Sequence, residues 1–230
     1  MKLFSYTIIF LFLISCTLEE PQVGIMTSDV IIINIDSTAI LADGNSRSKI
    51  TATLGAKADA DLDITFMTDQ GHFAGTVSNM MIVVKAGGKS AETFLISDLN
   101  VNNAVTVTAK VGAYSTSKTL GFERSYPTDI SSVPDKFILK ANKTDEITFN
   151  VDIFRNTSGF ASENTKILIS QNALDTNNAR LILPEFVFTT GGKASFKAVS
   201  TDTIIGKVNV ISVVEGASNV TSHATIELVK

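Results

Sequence analysis

The 230-residue chain sets 19 Lys and Arg against 23 Asp and Glu for a net charge of −4, and gathers its basic residues nowhere. That argues against nucleic acid as a partner, which is held by clustered cations. Apolar residues make up 44% of the chain and Pro is scarce, so it should fold, with enough core for two domains of roughly 100 residues.

The chain opens on Lys2, followed by the apolar run Leu3 to Ile14 and the small residue Ser15, the pattern of a secretory signal peptide. About 12 residues at 1.5 Å rise span roughly 18 Å, short of the ~20 residues a membrane-crossing helix needs. Residues 1–15 are therefore expected to be removed. Leu13-Ile14-Ser15-Cys16 resembles the lipobox of bacterial lipoproteins. The resemblance implies signal-peptidase recognition through Leu13, Ile14 and Ser15 and a covalent lipid on Cys16, the new N-terminus; no other cofactor is expected. Cys16 is the single cysteine, so it has no disulfide partner within the chain. An ordinary signal peptide with a chance cysteine is the alternative. A single acyl chain binds membranes marginally and two hold; the lipoprotein modification supplies two or three, making the membrane the partner at this end. Thr17 stands where inner-membrane retention favours aspartate, and Glu19-Glu20 resembles the acidic export signal of some surface lipoproteins. The expected location is the bacterial cell envelope, lipid-anchored in the outer membrane and surface-exposed, with residues 16–28 as a lipidated tether.

A first domain is expected over residues 29–125. Val30-Ile31-Ile32-Ile33 predicts a buried strand, rich in β-branched residues. Asp43-Gly44 with Asn45-Ser46 marks a turn. Ile50, Ala52 and Leu54 then alternate with Lys49, Thr51 and Thr53, the period of a half-buried strand. Ile64 with Phe66, Met81 to Val84, Phe94 to Ile96, Val105 to Val111, and Leu120 with Phe122 complete about seven strands, the count of an immunoglobulin-like sandwich. Asp69 to Ser78 is expected to be a loop.

Residues 126–134, with Pro127 and Pro134 amid Ser, Thr and Asp, are expected to be a linker, and 135–230 a second domain. There Phe137 to Leu139 stands for the first strand, Ile147, Phe149, Val151 and Ile153 alternate with polar residues, and Ile167 with Ile169 follows. A polar loop from Gln171 to Arg180 precedes strands at Phe186 to Phe188, Phe196 with Ala198, Val208 with Val210, and Ile226 with Leu228. The halves form an internal repeat. Ile82 to Ser90 aligns with Phe186 to Ala194 through Gly87-Gly88 and Gly191-Gly192, and Val105-Thr106-Val107 aligns with Val208-Asn209-Val210. The expected fold is all-β, two tandem Ig-like β-sandwiches after a cleaved lipoprotein signal peptide.

Ile40-Leu41-Ala42-Asp43-Gly44-Asn45-Ser46, the strand Lys49 to Leu54, Ile64-Thr65-Phe66 and Gly87-Gly88-Lys89-Ser90-Ala91 resemble the bacterial Ig-like repeats of invasin and intimin. That family pairs an alanine-aspartate-glycine turn with a later glycine turn. In the second half Ala141-Asn142-Lys143-Thr144 replaces the first turn and lacks its glycine. The resemblance implies stiff spacers and adhesive stalks. Receptor binding in the best-known members belongs to an additional lectin-like domain that nothing here matches, so no receptor-binding residues carry over.

Signals for catalysis are weak. Gly88-Lys89-Ser90 imitates the tail of a phosphate-binding loop, but Val83 stands where that motif needs glycine, and a strand follows instead of a helix. Ser115-Thr116-Ser117-Lys118 has the spacing of a serine-lysine acylation motif without its companions. His72 and His223 fall in different halves, too few for a zinc set; His72 is expected to be an exposed loop residue. Asp59, Asp61 and Asp63 resemble the opening of a calcium loop without its downstream glycine and glutamate, which leaves a solvated turn as the main reading and calcium as a weak candidate.

The expectation is thus a non-catalytic, membrane-anchored lipoprotein whose Ig-like modules act as an adhesive or assembly spacer. Its candidate binding loop comprises Gln171, Asn172, Asp175, Asn177, Asn178 and Arg180, facing a protein or glycan at the cell surface and no small-molecule substrate. The alternative is a carbohydrate-binding accessory lipoprotein of a glycan-uptake system. The absence of Trp and the presence of only three Tyr count against sugar stacking.

Overall fold

The computed structural model describes residues 27–201 and 203–230. Leu13, Ile14, Ser15 and Cys16, with the rest of the leader and most of the tether, lie outside the described residues. A single helical turn, α1 (Thr27–Val30), leads into the first domain: β1 (Ile31–Ile35), β2 (Ala39–Ala42), β3 (Arg47–Leu54), β4 (Leu62–Thr68), β5 (Asn79–Val84), β6 (Ser90–Ile96), β7 (Asn102–Val111) and β8 (Tyr114–Arg124). β1-β3-β6 form one sheet and β2-β8-β7-β4-β5 the other. Between them lie Ile31, Ile50, Ile64, Phe66, Leu95, Val107 and Phe122, all fully buried. Phe66 meets Phe73 edge-on at 6.3 Å between ring centroids. The 69–78 loop thus contributes a core ring, which its Gly- and polar-rich composition conceals.

Two expectations are corrected here, and one strand is added. Val30 closes α1 and is not in the strand, and Ile32 points outward from edge strand β1, 51% exposed, so only one face of that strand is buried. The added strand is β2. It is a four-residue strand that carries the chain from one sheet to the other and pairs parallel to β8, and the adjacent Ile40 and Leu41 give it no clean alternation. The proposed linker is largely a strand: β9 (Asp129–Pro134) pairs antiparallel with β11 (Glu146–Phe154), Pro134 opposite Phe149. Pro is tolerated there because β9 is an edge strand needing no further donor. Its inward Ser132 is satisfied by the Ser222 hydroxyl, which accepts from its backbone N–H at 3.0 Å, and by Ser212 Oγ, 3.1 Å from its own hydroxyl.

The second domain continues with β10 (Ile138–Lys140), β11, β12 (Lys166–Ala173), β13 (Leu181–Ile182), β14 (Phe186–Phe188), β15 (Lys193–Ser200), β16 (Gly206–Val214) and β17 (Ala217–Val229). Its sheets run β13-β15-β11-β9 and β10-β17-β16-β12-β14. Without β13 this is the order of the first domain, strand for strand, down to the parallel pairing of β10 with β17. The two cores are separate clusters, one between Ile31 and Phe122 and one between Ile130 and Leu228. In the second, Phe149 stacks on Phe196 with centroids 4.7 Å apart.

The repeat alignment fails in one place. Val84 is buried and Ile82 packs on the first core, whereas their aligned partners Phe188 and Phe186 point outward and Val187 packs inward. The connection from β14 to β15 is shorter than that from β5 to β6, and because side chains alternate, a one-residue slip exchanges the faces of the strand.

Candidate functional site: the interdomain joint and the far end

β8 runs directly into the second domain, and the junction is closed by the loop between β11 and β12. Ser125 and Ser162 pair through their backbones and side chains: Ser162 N–H donates to Ser125 O (2.9 Å) and Ser125 N–H to Ser162 Oγ (2.8 Å). The Ser162 hydroxyl donates to Ala42 O at 2.8 Å and the Ser125 hydroxyl to Phe160 O at 2.8 Å. Phe160 N–H donates to Asp43 O and Glu163 N–H to Leu99 O, at 2.9 and 2.8 Å. The loop therefore grips two parts of the first domain, the Asp43-Gly44 turn and the segment after β6.

Asp43 is the centre of that grip. Its Oδ1 accepts from the N–H groups of Asn45 (2.9 Å) and Ser46 (2.6 Å), and its Oδ2 from the Ser46 hydroxyl (2.9 Å) and Arg155 Nη1 (2.9 Å). The carboxylate is 3% exposed and the Arg155 side chain 14%. Burial pushes the carboxyl up, but the Ser46 and Asn45 amides, the Ser46 hydroxyl and Arg155 together outweigh it and hold Asp43 below the usual carboxylate range. Asn45 Nδ2 reaches the Ser158 hydroxyl, and Arg155 also donates to Ser158 O at 3.0 Å. Glycines allow the close approach: a Cβ on Gly159, at φ 81°, would stand 2.6 Å from Asp43 Cγ, and one on Gly44, at φ 73°, 3.3 Å from Leu99 Cδ2.

The repeat places the same turn at the far end of the second domain. Asn142 Oδ1 accepts from Thr144 N–H (3.0 Å) and Asp145 N–H (2.8 Å) as Asp43 Oδ1 does from Asn45 and Ser46. Lys143 takes the place of Gly44 and its left-handed backbone, φ 64°. Gly44 lies under Leu99 and Phe160 of the joint, whereas Lys143 is exposed and needs no such close approach.

The candidate binding loop also lies at that far end, and the structure divides it. Gln171 and Asn172 belong to β12, leaving 174–180 as loop. Gln171 joins its own sheet to β13, donating to Leu181 O (2.6 Å) and accepting from Leu181 N–H (2.8 Å). Asn172 Oδ1 accepts from Asn209 Nδ2 at 3.2 Å. Asp175 accepts from the N–H groups of Asn177 (3.1 Å) and Lys207 (2.8 Å), and Arg180 O accepts from Thr201 N–H at 3.2 Å. Asn178 holds a left-handed φ of 55°. The side chains of Asn177, Asn178 and Arg180 are exposed. Exposed Leu174, Ile204 and Ile205 stand near the same end, apolar residues that the polar reading of the loop left out.

The remaining sequence signals separate in space. Asp61 is bound by Lys85 Nζ at 2.6 Å and by Ala86 N–H at 3.1 Å. Among the described residues no three His, Cys, Asp or Glu side chains converge as metal ligands. Gly87-Gly88 is a turn between strands whose N–H and C=O groups pair with Ala58, and β6, not a helix, follows. Ser115 to Lys118 lie along β8, the Ser117 hydroxyl 2.8 Å from that of Thr108 and Lys118 Nζ 3.3 Å from Asn34 Oδ1. His72, expected to be exposed, is half-buried, its backbone paired with Ile96. His223 lies exposed on β17, its Nδ1 3.2 Å from Asn209 Nδ2.

No protein-family model and no curated protein matches the chain. Among solved structures it is similar to the Yersinia pseudotuberculosis adhesin InvE, at 13% identity over 88% of this chain and 59% of that one, with a TM-score of 0.61. It is also similar to invasin, described as a bacterial integrin-binding protein, at 15% identity over 86% of this chain and 39% of that one, with a TM-score of 0.59. The chain thus spans less than two thirds of either. These likenesses show an all-β, invasin-type Ig-like fold, and their extent takes in both domains.

Proposed function

We propose that this protein is a non-catalytic, lipid-anchored spacer of the bacterial cell envelope, whose two modules hold an adhesive or assembly surface away from the membrane. The observation that carries the reading is the joint. A chain that merely strung two domains together would have no use for a buried Asp43–Arg155 pair with backbone pairing on both sides of it, whereas a stalk must resist bending where its modules meet. Strands of about nine residues at roughly 3.3 Å rise make each module nearly 30 Å long, so the end bearing residues 174–180 stands ~60 Å or more from the anchor. Loops of a sandwich cluster at its ends, and that end is the expected contact surface.

Cys16 is the proposed lipid attachment point and the outer membrane the proposed location, facing outward. The fold shared with adhesins supports a protein partner. The glycan alternative has less behind it, since residues 174–180 carry no aromatic side chain. Labelled palmitate should enter the wild-type protein and not Cys16→Ser, and protease applied to intact cells should remove the two modules. Unchanged labelling of Cys16→Ser would refute the anchor, and full protection from protease would refute surface display.

A further inference from the structure

At the joint a cleft of about 480 Å³ is walled by Leu41 and Arg124 of the first domain and, beyond them, by Tyr126, Arg155, Thr157 and Asn219. Its volume is that of a small-ligand site, roughly 300–1,000 Å³. Among the described residues it is lined by two guanidinium groups and by no Asp or Glu. Glu215, in the adjoining pocket that shares Arg124 and Tyr126, is bound to Lys166 Nζ at 2.8 Å.

Both arginines keep donors to spare, out of the five N–H groups that a guanidinium carries. Arg155 spends only Nη1, on Asp43 Oδ2 (2.9 Å) and Ser158 O (3.0 Å), and that grip fixes the side chain in the joint at 14% exposure. Arg124 also spends only Nη1, on Glu163 O and Asn164 O, each at 3.4 Å. Those contacts exceed the length of about 3.2 Å up to which such bonds are well made, and both acceptors are carbonyls, so the charge of Arg124 has no counter-charge in them. The unused Nε and Nη2 groups are not sealed in protein, and a ligand can reach them. An oxyanion arriving there gains charge-assisted, two-pronged hydrogen bonds, which a neutral ligand cannot make.

A bare carboxylate would fill little of the cleft, and the rest of the wall says what it is attached to. The hydroxyls of Tyr126 and Thr157 and the Asn219 amide have no hydrogen-bond partner among the described residues, and each can donate and accept. The Tyr126 ring is 41% exposed and seated against Gly216, where a Cβ would stand 2.6 Å from its Oη; its electron-rich face suits the C–H groups of a saturated ring. A carboxylate on a hydroxylated ring matches this set.

We propose that the cleft binds a hexuronic acid unit of an acidic polysaccharide, its carboxylate on the free edge of Arg124, with Arg155 adding a further donor, and its hydroxyls on Tyr126, Thr157 and Asn219. The site goes beyond the spacer role and does not depend on the lipid anchor.

The full chain, purified in detergent, is titrated with methyl glucuronide by saturation-transfer NMR, with methyl glucoside as the neutral control and an N-acetylated, α-amidated glutamate as the peptide-like carboxylate. The glucuronide should saturate with a dissociation constant on the order of 1 mM, the range reachable by a ligand of that size. The glucoside should bind at least about tenfold more weakly, as should the glucuronide to Arg124→Gln. Asn219→Asp, at an exposed position on β17, sets a like charge in the cleft and should weaken the glucuronide about as much with an unchanged melting temperature, so the test does not hang on one variant. No saturable binding, equal binding of the glucoside, or full affinity in either variant overturns the anion site. Glutamate binding as tight as that of the glucuronide overturns the sugar assignment and makes the ligand an acidic peptide.

Discussion

Replacing Arg155 by methionine and Asp43 by asparagine, singly and together, isolates the ion pair that closes the joint. Removing one partner of a buried pair costs about 3–5 kcal/mol when the other is left uncompensated. Asp43 is not left so: the Ser46 and Asn45 amides and the Ser46 hydroxyl still reach it. Arg155→Met removes the charge-assisted hydrogen bond to Asp43 in a nearly dry site, about 1.5–3 kcal/mol, together with the more exposed one to Ser158 O, and we expect a loss of ~2–3 kcal/mol. Asp43→Asn keeps the acceptor that orders the turn, as Asn142 does at the far end, but leaves Arg155 without its counter-charge, for a similar loss. The double variant should cost well below the sum, with a coupling energy of about 1.5 kcal/mol or more. Calorimetry is the assay: wild type should unfold as one transition, and the variants should resolve two as the domains lose their mutual support. A coupling energy below about 0.5 kcal/mol, with an unchanged single transition, would show that the pair does not hold the domains together.

Acid should act at the same place. Asp43 has a folded pKa below its ordinary 3.8, so its contribution is fully present above that value and is lost as pH falls through the lower, folded one; a stability profile that declines below about pH 4 in wild type and less steeply in Asp43→Asn meets this, and identical profiles contradict it. Lys143→Gly should stabilise the second domain by about 0.5–1 kcal/mol in chemical denaturation, since it relieves a left-handed non-glycine residue; a loss would mean that the lysine side chain has a structural task there. Phe149→Ala removes one partner of the stacked pair in the second core and should cost about 3–5 kcal/mol, read as a lowered midpoint for the second domain; a change under about 1 kcal/mol would refute the packing. Millimolar calcium should leave the melting temperature unchanged, and a rise would revive Asp59, Asp61 and Asp63 as ligands.

The fold was largely legible because alternation is a direct consequence of one buried face: Ile50, Ala52 and Leu54, or Ile147 to Ile153, can be assigned to strands from their spacing alone. Elements that escaped have weak patterns for identifiable reasons. β2 is short and pairs at a sheet edge, β9 turns serines inward and satisfies them by hydrogen bonds, and Phe73 reaches the core from a loop. The Asp43-Gly44 turn was visible as a turn, but its partner Arg155 lies 112 residues away, and no local pattern announces a contact made across a joint. Of the far-end residues, the side chains of Asn177, Asn178 and Arg180 are exposed, whereas Gln171 has a structural task between sheets that polarity alone cannot reveal.

The central claim is that the two modules form one stiff body. Spin labels at Lys57→Cys, at the anchor-proximal end, and Asn178→Cys, at the far end, report it directly through the distance between them in solution. A single narrow distribution, broadened by adding Arg155→Met, is the predicted result; a broad or multiple distribution in the protein with Arg155 intact would contradict it.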